Sequence, residues 1–358
     1  MVQCNYTVDI IGLGQSTGFE WQQLIPQINY ISLRSNKQTP WIRLLDRLLF
    51  TIRIIQACEK RDVYDAILIE SVPFGVIQYV KRYGKEFDCT ILHDSVEWYS
   101  ASEFKLGVFS PTYILKDLNN RFLINKQFGV IAISSYLKNY YSGKGIRCEY
   151  IPFIHDVEAI CPKKRTVSDK VVFLYAGMMG KKDQLGGFLR AVARLEPSDR
   201  QRIEIRLFGF QRNYLIQTGN ADEALLETLC DQIKLYGRVP RHIVEENLQE
   251  ADFALLFRNA EERYAKAGFP TKVVESLSCS TPMFCNLSSD LGEYLRDGEN
   301  SILCLSESEE DIYTALCRAL LLSTSKKATM QENARNCALK NFDYRGYDAE
   351  LSRLLEGQ

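Results

Sequence analysis

The chain has 358 residues, enough for two domains of ordinary size that each bury a core. Its 46% hydrophobic and 25% charged content is that of a globular protein. A formal net charge of −1 excludes nucleic-acid binding driven by overall charge, so no nucleic-acid partner is expected beyond what a local basic patch would hold.

The first half alternates short apolar runs with helical patterns. Residues 7–14, 28–33, 64–71, 89–93 and 130–134 are predicted as strands, several of them apolar throughout as buried parallel strands tend to be. Helices fill the intervals at 40–60, 73–83, 111–127 and 135–141, each opening on a Pro or a Ser. Strand and helix in alternation argue for a doubly wound parallel sheet. The helix over 40–61 is apolar at Trp41, Leu44, Leu45, Leu48, Leu49 and Phe50 and edged by Arg43, Arg47 and Arg53. It reads either as a helix lying on an anionic membrane or as a packing helix whose arginines face water. Lys138, Tyr140, Tyr141 and Lys144 would extend the membrane face.

Residues 151–168 lose all periodicity and carry two prolines, which reads as a linker. A second alternating set follows, with strands at 170–177, 202–210, 233–236, 251–257, 282–286 and 301–305 and helices near 186–195, 221–232, 241–249, 271–279 and 290–296. From Ser308 onward the pattern is helical to the end. Two such halves in tandem place a ligand at the carboxyl ends of their strands.

Three stretches carry chemistry. In AGFPTKVVESLSCSTP, residues 267–282, Pro270 presets a helix start and leaves the amides of Thr271, Lys272 and Val273 at the positive end of the dipole. Thr271, Lys272 and Glu275 share one flank of the first turn, so a cation and a carboxylate flank one anion pocket. That pairing suits a nucleoside diphosphate, whose phosphates need cations and whose ribose diol needs a carboxylate. It suits equally a helix whose early Glu merely complements the dipole, worth about 0.3–1 kcal/mol. The second stretch, KVVFLYAGMMGKKDQLGG, puts Gly177, Gly180, Gly186 and Gly187 beside Lys181 and Lys182, either a phosphate loop or a glycine-rich turn with solvated lysines. The third, CTILHDSVEWYSAS, ends a strand on His93, Asp94 and Glu97, residues that would face the cleft of such a sheet.

The 267–282 stretch and the following SDLGEYLRDGENSILC resemble the nucleotide-sugar site of the GT-B glycosyltransferases of family 4 (glycosyl transferases group 1). The resemblance implies an α/β fold of two Rossmann-like domains in tandem. The acceptor-binding domain would be 1–152, with a terminal helix 345–358 packing back onto it, then a linker 153–168 and a donor-binding domain 169–344. By the same resemblance the chain is a retaining hexosyltransferase of bacterial polysaccharide or lipopolysaccharide assembly. It would move sugar from a nucleotide-diphosphate sugar to a glycan or lipid-linked acceptor. Glu275 would hold the ribose, Lys182 the diphosphate, and His93 the transferred sugar. Lys272 and Arg258 would add positive charge. Gly177, Thr271 and the amides of Gly268 and Phe269 would complete the donor site, and Asp94 and Glu97 would meet the acceptor.

The sequence departs from the family at three places. Met178 and Met179 stand where an arginine is usual, and Ala267 stands where the first of two glutamates is usual. The opening VDIIGLG matches the family's second strand, so the first domain is expected to lack its first strand and glycine-rich loop. The alternative makes Gly12, Gly14 and Gly18 that loop, in a spacing that is not the dinucleotide fingerprint. These departures also suit a non-catalytic nucleotide-sugar or glycan-binding relative, and an epimerase of the same fold is a further alternative. No D-x-D pair occurs, so neither metal nor other cofactor is expected. Eleven scattered cysteines without a C-x-x-C pair, no signal-peptide pattern and no membrane-length apolar run point to the cytoplasm, up to the inner face of the membrane.

Overall fold

The computed structural model describes residues 6–14, 19–34, 49–163, 169–178 and 182–356. The first half is built on β1 (Val8–Gly12), β2 (Gln22–Ile25), β3 (Ile28–Ser32), β4 (Ala66–Ile69), β5 (Thr90–Ser95), β6 (Phe128–Ala132) and β7 (Arg147–Tyr150). β1 pairs in parallel with β3, and β2 folds back on β3 as an antiparallel hairpin. β4 to β7 form a separate parallel sheet in chain order. Among the described residues β1 and β4 are not paired, so the half divides into two sheets.

The second half has one six-stranded parallel sheet. Its strands are β8 (Val171–Ala176), β9 (Ile203–Phe208), β10 (Ile233–Gly237), β11 (Phe253–Leu256), β12 (Met283–Asn286) and β13 (Ser301–Cys304), in the spatial order β10-β9-β8-β11-β12-β13. Chain direction reverses its walk between β8 and β11, and open α/β sheets bind ligands at such a switch point. One face of this sheet is sealed by Phe173, Phe188, Phe253, Phe257 and Phe284, each almost fully buried and packed ring against ring. At about 1.5–3 kcal/mol per buried ring this cluster fixes the β8–β11–β12 centre of the sheet. The other face belongs to a core that continues into the first half, joining Ala267, Phe269 and Val273 to Ile133, Leu137 and Val157.

The chain crosses between the halves twice, side by side. His155 N–H donates to the Phe342 carbonyl at 2.8 Å and Val157 N–H to the Asp343 carboxylate at 3.1 Å. Beyond the second crossing the helix Asp348–Leu355 lies on the first half. Leu354 and Leu355 pack on Leu92, Arg353 pairs with Glu149 at 2.9 Å, and Thr90 Oγ1 donates to the Leu355 carbonyl.

Several expectations shift. The helix expected over 111–127 is helical only as Pro111–Leu118 and then widens into a π turn, Asn119–Leu123. Of the helix expected over 40–60 the described part is Phe50–Glu59, whose Ile54, Ala57 and Cys58 are buried. That part therefore packs into the core, and residues 40–48 lie outside the described ones, as do Gly18, Met179, Gly180 and Lys181. Strands β2 and β7 and the helix Arg263–Ala267 are not anticipated by the sequence patterns. The cysteines among the described residues are all free.

Candidate active site

The floor of the site is three glycines at the carboxyl ends of β8, β9 and β10. Gly177, Gly209 and Gly237 have φ of +145°, +105° and +65°. A Cβ on Gly177 would lie 2.5 Å from Lys272 Cε, and one on Gly209 would lie 2.4 Å from the Gly177 carbonyl oxygen. Only glycine both takes these backbone angles at low cost and leaves the Lys272 side chain room to cross the strand ends.

Above this floor sits a charge cluster organised by Asp183, whose side chain is only 4% exposed. Its carboxylate accepts from Arg258 Nε at 2.8 Å, Lys272 Nζ at 2.7 Å and Tyr175 Oη at 2.8 Å. Burial would raise its pKa, but Arg258 and Lys272 outweigh burial and hold it at about 2. The same hydrogen bond pushes the Tyr175 hydroxyl, already buried, further up. Asp183 is a residue that sequence reasoning missed. Nothing in its local pattern marks it, because Arg258 and Lys272 stand 75 and 89 residues away.

Lys182, next to it, points the other way. Its ammonium pairs with Glu97 and, at 2.9 Å, with Glu103, both from the first half, and lies 5.2 Å and 5.5 Å from the ring centroids of Tyr99 and Tyr264. Burial and the neighbouring Arg258 push its pKa down to about 8. Glu97, expected at the acceptor, is thus drawn to Lys182, and Glu103 joins it unforeseen. Glu103 is fixed by accepting from Ser100 N–H at 2.8 Å in a capping box.

The helix Thr271–Ser278 starts as its sequence suggests, with Pro270 at the N-cap and no side chain satisfying the first amides. Thr271 is exposed, and the Glu275 side chain forms no hydrogen bond or ion pair among the described residues. The positions just before are buried. Phe269 is 5% exposed and packs on Tyr294 and Phe342, so its side chain serves the core. Gly268 is buried and its N–H is taken by the Tyr264 carbonyl at 3.0 Å. Its amide is therefore not available to hold a ligand in this state. Ala267 is fully buried and its carbonyl accepts from Ser134 Oγ at 2.8 Å, so the position where the family has a glutamate is closed against the first half.

A pocket in the first half opens at the end of β5, lined by His93, Asp94, Ser95, Glu97, Tyr99 and Lys116 among others. His93 is buried against the edge of Tyr141, and neither ring nitrogen has a hydrogen-bond partner. Burial lowers its pKa to about 4, so the ring is neutral at pH 7. Burial, reinforced by Glu70, raises Asp94 to about 6. Glu97 and Tyr99 line this pocket and also touch Lys182, so the sequence-selected residues of the two halves meet there. Glu275 stands apart, linked to them through Lys272 of its own helix.

A comparison with curated protein sequences returns no match. Solved structures share the fold. Sucrose-phosphate synthase from Thermosynechococcus elongatus aligns over 99% of this chain and 90% of its own, at 14% identity and a TM-score of 0.76. WaaG, a glycosyltransferase involved in lipopolysaccharide biosynthesis, aligns over 100% and 93% at 14% identity and a TM-score of 0.68. HepE from Anabaena, solved in complex with UDP, aligns over 92% and 86% at 16% identity and a TM-score of 0.63. These likenesses agree on an architecture of two Rossmann-like domains. The model of the family described as glycosyl transferases group 1 matches residues 156–337, or 182 of the 358, and the chain, a glycosyltransferase, belongs to that family.

Proposed function

We propose that the chain transfers a sugar from a nucleotide-diphosphate sugar, with retention and without a metal, to a glycan or lipid-linked acceptor. The observation that carries this reading is the pairing of Arg258 and Lys272 with Asp183 at the β8–β11 switch point, beside Lys182 and the uncapped start of the helix Thr271–Ser278. Arg258 and Lys272 against one buried carboxylate leave net positive charge where a diphosphate would sit, helix amides add to it, and Lys182 joins them once it leaves Glu97 and Glu103.

In this reading residues 169–344 bind the donor and 1–152 the acceptor. Glu275, one turn into the helix, accepts from the ribose hydroxyls. Lys182 and Lys272, with Arg258, take up the charge that develops as the bond from the anomeric carbon to the phosphate oxygen breaks. The acceptor oxygen bonds to the anomeric carbon on the face the diphosphate leaves, and its proton passes to the departing phosphate oxygen. His93, neutral and lining the pocket at the end of β5, would turn a ring nitrogen, buried in this state, to a sugar hydroxyl. The HepE structures that hold UDP and UDP-glucose make uracil the first base to try.

A non-catalytic donor-binding relative is favoured by one observation, the buried Ala267 in place of a carboxylate. Melting of the purified protein with UDP, GDP and ADP, each with and without EDTA, comes first. Ligand at about 100 times its dissociation constant adds about 2.7 kcal/mol. An EDTA-insensitive shift with one nucleotide, lost in Glu275→Ala, is expected, and an EDTA-sensitive one would overturn the metal-free site. Turnover of the matching donor sugar, reduced about 30- to 1,000-fold by Lys182→Ala, is expected of an enzyme. Binding without turnover would leave the binding-protein reading.

A further inference from the structure

We infer that the face of the first half formed by residues 105–122 docks on an anionic lipid surface. A helix on a globular protein normally turns its apolar stripe inward and its charges outward. The helix Pro111–Leu118 does the reverse. Its Tyr113, Lys116 and Asp117 point into the protein: Arg263 donates to Tyr113 Oη at 3.0 Å, Lys116 Nζ lies 3.9 Å from the Tyr99 ring centroid, and Asp117 accepts from Trp98 Nε1 at 2.8 Å. Ile114, Leu115 and Leu118, spaced three and four apart, face solvent, and Phe122 continues the stripe beyond the helix. The preceding turn adds Leu106 and Phe109, and Phe109, Phe122 and Leu106 are 80%, 68% and 64% exposed. Single exposed apolar residues are ordinary, but seven large ones within seventeen positions, Val108 among them, form a patch of the kind that marks an interaction site.

Charge selects the occupant. The patch is framed by the exposed Lys105, Arg121, Lys126 and Lys144. The nearest acid in this stretch, Asp117, is half-buried and spent on Trp98, Arg121 and Arg263. Apolar side chains ringed by cations, of which Arg121 alone is paired with an acid among the described residues, match a bilayer whose headgroups are negative. No described helix is long and apolar enough to cross a membrane, so the contact is made from the surface. Lys116, Asn119, Asn120 and Ile124 of the same segment line the His93 pocket. A docked face thus brings that pocket to the bilayer, where a lipid-borne acceptor would present its headgroup. The membrane contact stands on the face itself, and only this last step rests on the proposed transfer.

Co-sedimentation of the full chain with phosphatidylcholine vesicles, with and without phosphatidylglycerol, tests the inference. Pelleting with the anionic vesicles, weakened by added salt, is expected. Phe109→Asp with Leu115→Asp should abolish it while leaving the melting temperature unchanged, since both side chains are exposed. Lys105→Ala and Lys126→Ala should each weaken it about fivefold. Absence of pelleting by the unmodified protein, or equal pelleting by the double Asp variant, overturns the inference. So does a dimer in sedimentation velocity that the double Asp variant dissociates, because the face would then belong to a second copy of the chain.

Discussion

In the proposed reading Asp183 decides how much positive charge meets the donor. Removing a single partner from a buried ion pair costs about 3–5 kcal/mol, because the charges left behind are uncompensated. In Asp183→Asn, Arg258 and Lys272 would face each other without their shared carboxylate. A lower melting temperature is expected, and that alone would follow from any structural role. The diagnostic quantity is the further rise in melting temperature on adding the nucleoside diphosphate that binds the unmodified chain. It should be larger in the variant, since the diphosphate then supplies the missing negative charge. An equal or smaller rise would show that these two cations do not meet the phosphates.

At the scale of elements, β5 shows how one strand end carries two opposed titrations. His93 and Asp94 are consecutive, so they project to opposite faces. Above pH 6.5 the His93 ring is neutral folded or unfolded. As pH falls from about 6.5 to about 4 only the unfolded chain takes up that proton, so stability is lost, by about 3 kcal/mol at most. Asp94 works in the other direction: between about 6 and 3.8 the folded chain holds a proton that the unfolded chain has released, so its contribution grows as pH falls. The two oppose each other in one window. Relative to the unmodified protein, His93→Gln should gain stability towards pH 4.5 and Asp94→Asn should lose it, in urea midpoints taken from pH 4.5 to 7. Difference profiles of the same sign would show that one of these groups is not buried as described.

β5 also shows what could be read from the sequence. Its buried Ile91 and Leu92, like VVFLYA of β8 and FALL of β11, are covered on both faces, and such apolar runs announce themselves. The helix at Thr271 was legible from Pro270 and Glu275 for similarly local reasons. β2 and β7 were not, because QQLI is wholly exposed and RCEY only half-buried, so neither carries the burial that patterns a strand. Asp183, Glu103 and the inverted helix Pro111–Leu118 were hidden for a different reason. Their meaning depends on partners across the fold, and an outward apolar stripe has the same periodicity as an inward one.

In the whole molecule these long-range pairs become a clasp between the halves. Lys182 reaches Glu97 and Glu103, Ser134 holds the Ala267 carbonyl, Ser135 bonds Asp290, Tyr150 meets Tyr294 at 2.7 Å, and Arg263 donates to the Tyr99 carbonyl at 3.0 Å. Only the first of these uses a residue assigned to the donor. Glu97 and Glu103 therefore occupy the ammonium that a diphosphate would need, and a donor must displace them. A hydrogen bond to a charged group is worth about 1.5–3 kcal/mol net, so removing one competing carboxylate should tighten binding about 10- to 150-fold at most. Solvent screening at the partly exposed Lys182, whose side chain is 28% accessible, will reduce this to several-fold. Glu97→Gln and Glu103→Gln should each lower the dissociation constant of the nucleoside diphosphate in calorimetry, and the double variant should lower it further. Added salt should narrow the gap between variant and unmodified chain, because it weakens the competing pair itself. If instead both variants bind more weakly, these carboxylates take part in holding the ligand, and Lys182 reaches the diphosphate without leaving them.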